Sequence, residues 1–203
     1  MIIGLAGKAG SGKSSVANYL CKRYDATKIA FADPLKKMAQ AIWDFSDEQV
    51  YGPASVKETI DPRWGITPRW ALQKLGTEAC RVHLGADVWI QALLRRVNDY
   101  AKWEQKERLW VVEDVRFENE VRALQLQNFG TNSEGRTIPV ERCAAVWRIH
   151  CSDAQSVADA THPSEAELDR ISDEMFSAHL RSSRRQGLEH LFGLVDEEMK
   201  RCR

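Results

Sequence analysis

The segment Met1-Ile2-Ile3-Gly4-Leu5-Ala6-Gly7-Lys8-Ala9-Gly10-Ser11-Gly12-Lys13-Ser14-Ser15 decides how the rest of the chain is read. Residues 2–6 form a short apolar run, the mark of a buried strand. They lead into Gly7, four residues, then Gly12-Lys13-Ser14, which is the spacing of a phosphate-binding loop, or P-loop. Glycines let the backbone curl until successive N–H groups face inward at phosphate oxygens. A helix expected from Ser14 to about Arg23 brings its N-terminus to the same point, where unpaired N–H groups and the dipole favour an anion. In this pattern Gly7, Ala9, Gly10, Ser11, Gly12, Lys13, Ser14 and Ser15 bind ATP. Lys13 reaches the outer phosphates, and the Ser14 hydroxyl ligates Mg2+.

Outward from the loop, Thr27 to Ala32 is a second apolar run, bounded by Asp33-Pro34. Asp33 is expected to cap a helix whose first position is Pro34. Leu35, Met38, Ile42 and Phe45 recur on that helix at spacings of three and four, which predicts a buried face. The stretch 44–65 holds glycine, two prolines and few periodic apolar residues, and reads as loop. Thr67-Pro68 opens another helix, with Leu72, Leu75, Ala79 and Val82 as its expected buried stripe. After Gly85 a further helix shows Ile90, Leu93, Leu94 and Val97. Leu109-Trp110-Val111-Val112 is the strongest strand signal and ends in Glu113-Asp114; a helix with Val121 and Leu124 follows. Residues 128–142 read as a loop or hairpin, and Ala144 to Ile149 as a fourth strand. Ser164 and Glu167 have capping-box spacing. Leu188, Leu191, Phe192, Val195 and Met199 give the last helix the cleanest period of all.

Apolar strands alternating with helices predict an α/β fold: a parallel sheet flanked by helices on both faces. The expected organisation is one domain, with a core of about 1–33 and 105–203 and a helical, acceptor-binding insertion of about 34–104. Ligands of such sheets bind outside the carboxyl ends of the strands. The loop from Gly7, Asp33 and Asp114 all fall at those ends.

The 203 residues suit one domain with a real core. Lys plus Arg and Asp plus Glu both number 29, so the bulk charge lacks the basic excess of a nucleic-acid binder and favours a small-molecule partner. The five cysteines are scattered with no C-x-x-C pair, which argues against a disulfide framework or zinc site. No apolar run approaches a membrane span. The first residues read as strand and not signal peptide, and a cytoplasmic protein is expected, in a host cytoplasm if the chain is phage-encoded.

A P-loop specifies a nucleotide and not a reaction. No asparagine here is followed by lysine, so the Asn-Lys-x-Asp guanine motif of GTPase switches is absent. The long basic helical insertion before the Trp110 strand suits a small kinase that holds a second substrate apart.

The insertion also carries a family resemblance. Phe31-Ala32-Asp33-Pro34-Leu35-Lys36 resembles the segment after the second strand in phage-type deoxynucleoside monophosphate kinases. Thr67-Pro68-Arg69, Leu72-Gln73-Lys74-Leu75-Gly76-Thr77-Glu78 and Arg81 are similar to that family's substrate-side helix, with Asp87 and Trp89 following. Asp114-Val115-Arg116-Phe117 with Asn119-Glu120 resembles its central-strand motif, and His162-Pro163-Ser164-Glu165 its later helix start. The resemblance implies a three-layer P-loop kinase fold, ATP-dependent phosphoryl transfer to a (deoxy)nucleoside monophosphate, giving the diphosphate, and a homodimer. Two other readings stay open: a kinase for another small acceptor such as dephospho-coenzyme A, and a nucleotide-binding regulatory NTPase. Residues 151–161 contain no Arg or Lys, so Arg142, Arg148 or Arg170 would have to supply a lid cation. The tail Ser177 to Arg185 departs from the family pattern.

The expected roles are these. Lys13, Asp114 and Arg116 are catalytic, and Asp114 joins Ser14 at the magnesium. Asp33, Arg69, Trp70, Gln73, Thr77, Arg81 and Arg116 bind the acceptor. Arg69 sits in the first turn of its helix, where the dipole disfavours a cation, which suggests an anionic partner such as the acceptor phosphate. Trp70 and Trp89 are candidates to stack on a base. Asp33 would be a natural base for an alcohol acceptor. A phosphate acceptor, with a second pKa of about 6, needs none. His162 reads as structural or phosphate-adjacent.

Overall fold

Strand β1 (Ile2–Ala6) is flanked on both sides by parallel partners. The computed structural model describes residues 1–104, 108–126, 129–131, 137–139, 144–153 and 163–202. They fall into two compact units, 1–29 with 101–203, and 30–100.

The first unit is built on a sheet in the order β2 (Thr27–Ile29), β3 (Trp110–Val115), β1, β6 (Ala144–Cys151) and β7 (Ala178–Ser182), parallel throughout. Its core joins Ile3, Leu5, Val111, Trp147 and Leu180 of the sheet to Val16, Ala17 and Leu20 of helix α1 (Lys13–Tyr24). Gly4 is required by a close approach: a Cβ there would lie 2.7 Å from Leu124 Cδ1 on the helix Glu118–Gln125. Residues Phe129–Thr131 (β4) and Thr137–Pro139 (β5) pair as two short antiparallel strands, as a hairpin reading of 128–142 expects. The strand β7 lies in the tail, Ser177 to Arg185, that departs from the family pattern.

The C-terminal helix, Gly187–Arg201, closes over α1 with Leu191, Val195 and Met199 buried as the periodicity predicts; Leu188 is exposed. Phe192 stacks on Tyr19 at 4.2 Å between ring centroids. The hydroxyls of Tyr19 and Tyr24 both donate to Asp196, at 2.9 and 2.7 Å. These bonds hold the Asp196 carboxyl below its ordinary pKa, led by Tyr24. Burial, then Asp196, push Tyr24 up to about 12.

The second unit runs through α2 (Asp33–Trp43), α3 (Asp47–Tyr51), α4 (Ala54–Lys57), α5 (Pro68–Gln73), a π-helix (Lys74–Leu84) and most of α6 (Val88–Glu104). Ala39, Phe45, Val50 and Ala71 form its small core, with Trp43, Ile66, Leu72 and Leu75 packed on it. Ile90, Leu93 and Val97 of α6 are buried on the predicted face.

Several expectations are corrected here. Ala32 is the N-cap of α2, and Asp33 and Pro34 are its first two residues. The Asp33 carboxylate reaches back to accept from the Ala30 N–H at 3.0 Å. Met38 and Ile42 are exposed, and Ala39 is the residue α2 buries. The helix stops at Trp43 with Asp44 in the left-handed region, so Phe45 enters the core from beyond the helix.

The stretch 44–65 is not simply loop. Ser46 and Gln49 cap α3 reciprocally. Asp61, buried, accepts from Gln49 Nε2 at 2.8 Å and from the Arg63 guanidinium and N–H, while Arg63 also binds Asp44. Such a knot fixes a segment that has little apolar surface to bury.

The stripe Leu72, Leu75, Ala79, Val82 assumed α-helical winding. After Gln73 each turn closes on the fifth residue instead of the fourth. The buried positions become Ala71, Gly76 and Cys80, and Ala79, Val82 and Leu84 face outward. A Cβ on Gly76 would lie 2.6 Å from Leu35 Cδ2.

No helix among the described residues is long and apolar enough to cross a membrane.

The Asp196 clamp gives a testable pH dependence. Its depressed folded pKa means the clamp is complete above the unfolded carboxylate value of about 4 and weakens as pH falls below it. Asp196→Asn is expected to lower Tm at pH 7, and the gap to wild type should narrow as melts are repeated below about pH 4. A gap that stays constant across that range would show that the carboxylate charge is irrelevant to the clamp.

Candidate active site: the phosphate loop and the strand ends beside it

The loop from Gly7 to Gly12 takes backbone conformations that few side chains tolerate. Gly7, Gly10 and Gly12 have φ of 152°, 73° and 100°. A Cβ on Gly7 would lie 2.6 Å from both the Ile149 carbonyl oxygen and Ser11 Oγ. The loop folds on itself through Ser11 N–H donating to Lys8 O at 3.1 Å. Lys13 Nζ bridges its entrance, donating to the carbonyls of Gly7 at 2.5 Å and Lys8 at 2.7 Å. Helix α1 starts with no side-chain cap and no acidic residue in its first turn. Native helices normally satisfy these first N–H groups with a capping oxygen. Here no side-chain oxygen takes that place, and an ammonium group stands beside the helix start. Ser11 Oγ is also buried without a hydrogen bond.

Sheet register sets what lies next to the loop. Ala6 pairs with Val115 of β3 and with Arg148 of β6, so the loop leaves β1 between the carboxyl ends of both neighbours. The β1–β3 register slips between Gly4 and Ala6, so that β3 carries one extra residue where Glu113 and Asp114 lie. A bulge of this kind re-aims side chains. Glu113 is engaged by Lys28 of β2 at 3.5 Å. Asp114 is half-buried at the strand end, and Arg116, just beyond it, is exposed. Glu120, only 3% exposed, accepts from the N–H groups of Arg116 and Phe117 at 2.8 and 3.1 Å. It fixes the turn that carries Arg116. It stands at the third helical position and makes only the return half of a capping box, because the N-cap Phe117 has no side-chain acceptor.

The arginines considered as lid substitutes fare differently. Arg148 is 12% exposed and fully engaged. It donates to Asp173 at 2.8 Å and to the carbonyls of Ile171 and Leu168, with its guanidinium 5.1 Å from the Phe176 ring centroid. It is a structural arginine and no lid cation. Arg170 pairs with Glu167 at 3.7 Å on helix Pro163–Arg170. Arg142, His162 and most of 151–161 lie outside the described residues. Lys8 of the loop pairs with Asp169 at 2.9 Å.

The second unit holds the other candidates. Thr67 caps α5 by accepting from Trp70 N–H, as predicted. Arg69 lies 3.2 Å from Glu58, so its anionic partner here is a carboxylate of its own unit. Gln73, Thr77 and Arg81 are half-buried on successive turns of α5 and the π-helix. Trp70 is 47% exposed. Trp89 is 7% exposed and donates Nε1–H to Gly76 O at 3.0 Å, which makes it a core residue and removes it as a stacking candidate. Asp33 pairs with Arg96 of α6 at 3.1 Å. That partner, 63 residues away, gave no local signal.

A parallel sheet in the order β2-β3-β1-β6-β7, with a glycine-rich loop running from β1 into an uncapped helix, defines a P-loop kinase fold. No protein-family profile matches the chain. A protein of Acanthamoeba polyphaga mimivirus named "Putative deoxynucleotide monophosphate kinase" is 36% identical over 180 residues, covering 84% of this chain and 83% of its own. The chain belongs to that deoxynucleotide monophosphate kinase family and is a nucleotide kinase. Among solved structures, TT1252 from Thermus thermophilus covers 99% of this chain and 97% of its own, at 18% identity and a TM-score of 0.45, a likeness too loose to bear on function.

Two substitutions test the loop. Gly7→Ala places a methyl against backbone that cannot yield, with strain on the order of 1–3 kcal/mol. It is expected to lower Tm and abolish ATP binding by calorimetry. Lys13→Met should fold normally and reduce turnover about 100-fold or more. Near-normal turnover in Lys13→Met would remove the ammonium from the chemistry.

Proposed function

We propose that the chain transfers the terminal phosphoryl group of ATP to a deoxynucleoside monophosphate, giving ADP and the diphosphate. The observation that carries the kinase half is the start of α1: uncapped N–H groups in a glycine cradle, with Lys13 held at its mouth. The acceptor is supported by the name of the viral relative and by the residues of α5 and the π-helix.

The donor's outer phosphates take the place of the Gly7 and Lys8 carbonyls as partners of Lys13. The N–H groups of the loop and of α1 hold their non-bridging oxygens. An oxygen of the acceptor phosphate forms a bond to the γ-phosphorus as the bridge to the β-phosphate breaks, and ADP leaves with the electron pair. The acceptor oxygen is already anionic near neutral pH, so no base is needed. This agrees with an Asp33 that is committed to Arg96 and the Ala30 N–H. Catalysis is positioning and charge neutralisation by Lys13 and Arg116.

Magnesium fits the donor set. Ser14 offers an exposed hydroxyl at the start of α1 and Asp114 a carboxylate at the end of β3, both hard oxygen ligands. Among the described residues no group of three or more His, Cys, Asp or Glu is placed to hold a metal. The ion supplies neutralisation of the charge between the outer phosphates.

A coupled assay of ADP release, run with ATP-magnesium and a panel of monophosphates, tests the reading. Stimulation by one or more deoxynucleoside monophosphates is expected. Stimulation only by an alcohol acceptor such as dephospho-coenzyme A, or by no acceptor, would overturn it. Arg69→Ala should raise the acceptor's KM more than that of ATP. Glu58→Gln separates that role from a structural one: if Arg69 serves the acceptor, Glu58→Gln leaves acceptor KM unchanged or lowers it. If the ion pair alone matters, both substitutions raise KM alike.

A further inference from the structure

Arg184 stands beside the phosphate loop, although it is 172 residues beyond Gly12 in sequence. Its Nη2 lies 3.9 Å from the position a Cβ would occupy on Gly10. It opens a single 3-10 turn, Arg184–Gln186, immediately after β7. That turn is fixed. Ser183 Oγ accepts from Gln186 N–H at 3.3 Å, and Gln186 Oε1 accepts from Ser183 N–H at 2.9 Å. Upstream, Ser152 N–H donates to Ser182 O at 3.0 Å, which carries the β6–β7 pairing up to the turn. The backbone that presents Arg184 is thus tied to the same sheet that presents the loop.

The charge around Gly10 is one-sided. The loop already holds the Lys13 ammonium and the positive end of α1, whose first turn has no acidic residue. Lys8 is neutralised by Asp169 at 2.9 Å. Arg148, on the neighbouring strand, is neutralised by Asp173. The Arg184 guanidinium has no carboxylate or carbonyl partner among the described residues, and it is exposed. A guanidinium standing 3.9 Å from where a Gly10 side chain would begin is within reach of an anion seated in the loop.

We propose that Arg184 is a donor-binding residue, whose guanidinium donates to non-bridging oxygens of the nucleoside triphosphate's phosphate chain. This rests on the kinase reading above and extends it to a residue outside the motif. Planar guanidinium forks suit phosphate oxygens better than an ammonium does. The contact is to phosphate and not to the base, because Gly10 belongs to the arm of the loop that curls around the anion.

The test is titration of wild type, Arg184→Gln, Arg184→Lys and Arg185→Gln with magnesium ATP, magnesium tripolyphosphate and AMP. Arg184→Gln is expected to weaken ATP and tripolyphosphate about tenfold or more, leaving AMP and the acceptor's KM unchanged. Arg184→Lys should recover part of the loss, and Arg185→Gln should behave as wild type. Equal binding of tripolyphosphate by wild type and Arg184→Gln overturns the proposal, as does a loss confined to ATP, which would mark a base contact. In both cases the kinase reading stands. If wild type binds neither ATP nor tripolyphosphate, the kinase reading itself falls.

Discussion

A helix start with no side-chain cap is the constraint on which this protein turns. Helix α1 begins at a glycine in the left-handed region, with no side-chain oxygen to accept from its first N–H groups. A turn with that need must sit at the carboxyl edge of a sheet, where neighbouring strand ends can add further groups. The parallel order supplies this: β1 is paired on both flanks, so the loop leaving it is bordered by Val115-Arg116 on one side and Ile149 on the other. The Ile149 carbonyl lies so close to Gly7 that residue 7 must be glycine. Core packing, loop geometry and anion affinity are therefore one requirement expressed at different distances.

Charged side chains divide into those that build the frame and those that face outward. Arg148, Arg63 and Arg96 look alike in sequence to Arg116 and Arg184. Arg148 closes a cluster with Asp173 and two carbonyls, Arg63 fastens Asp61 and Asp44, and Arg96 holds Asp33. A residue type says that a cation is present, and only its partners say whether the charge is already spent on structure.

Much of the fold was legible from local pattern. The strand-loop-helix at the start, the Trp110 and Ala144 strands, and the Val121 and Leu191 helices follow from periodicity and motif, and the structure has them. The elements that escaped share a cause: their signal is not local. Helices Asp47–Tyr51 and Ala54–Lys57 are too short to show a period, and the Asp61 knot holds the first of them. Strand β7 reads Ala-His-Leu-Arg-Ser, an edge strand with one deeply buried side chain, so it lacks the apolar run by which the others were found. Missing it hid the position of Arg184. In the candidate site, a motif names the loop residues and a resemblance names Asp114 and Arg116, and the structure places them at the carboxyl ends of the adjacent strands β1 and β3. Glu120's brace is local but lacks the Ser or Thr N-cap that would flag it, and the bulge that separates Glu113 from Asp114 depends on pairing across the sheet, which a single sequence does not display.

The wide winding from Lys74 to Leu84 has an evolutionary reading. A turn that closes one residue late is what remains when a helix absorbs an inserted amino acid without unravelling. Each added or deleted residue rotates everything downstream by about 100°. In this segment chain length, as much as composition, decides whether Thr77, Arg81 or Val82 looks toward a bound molecule. A lineage could therefore change what the surface offers through a single-codon insertion or deletion, with every side chain on it unchanged.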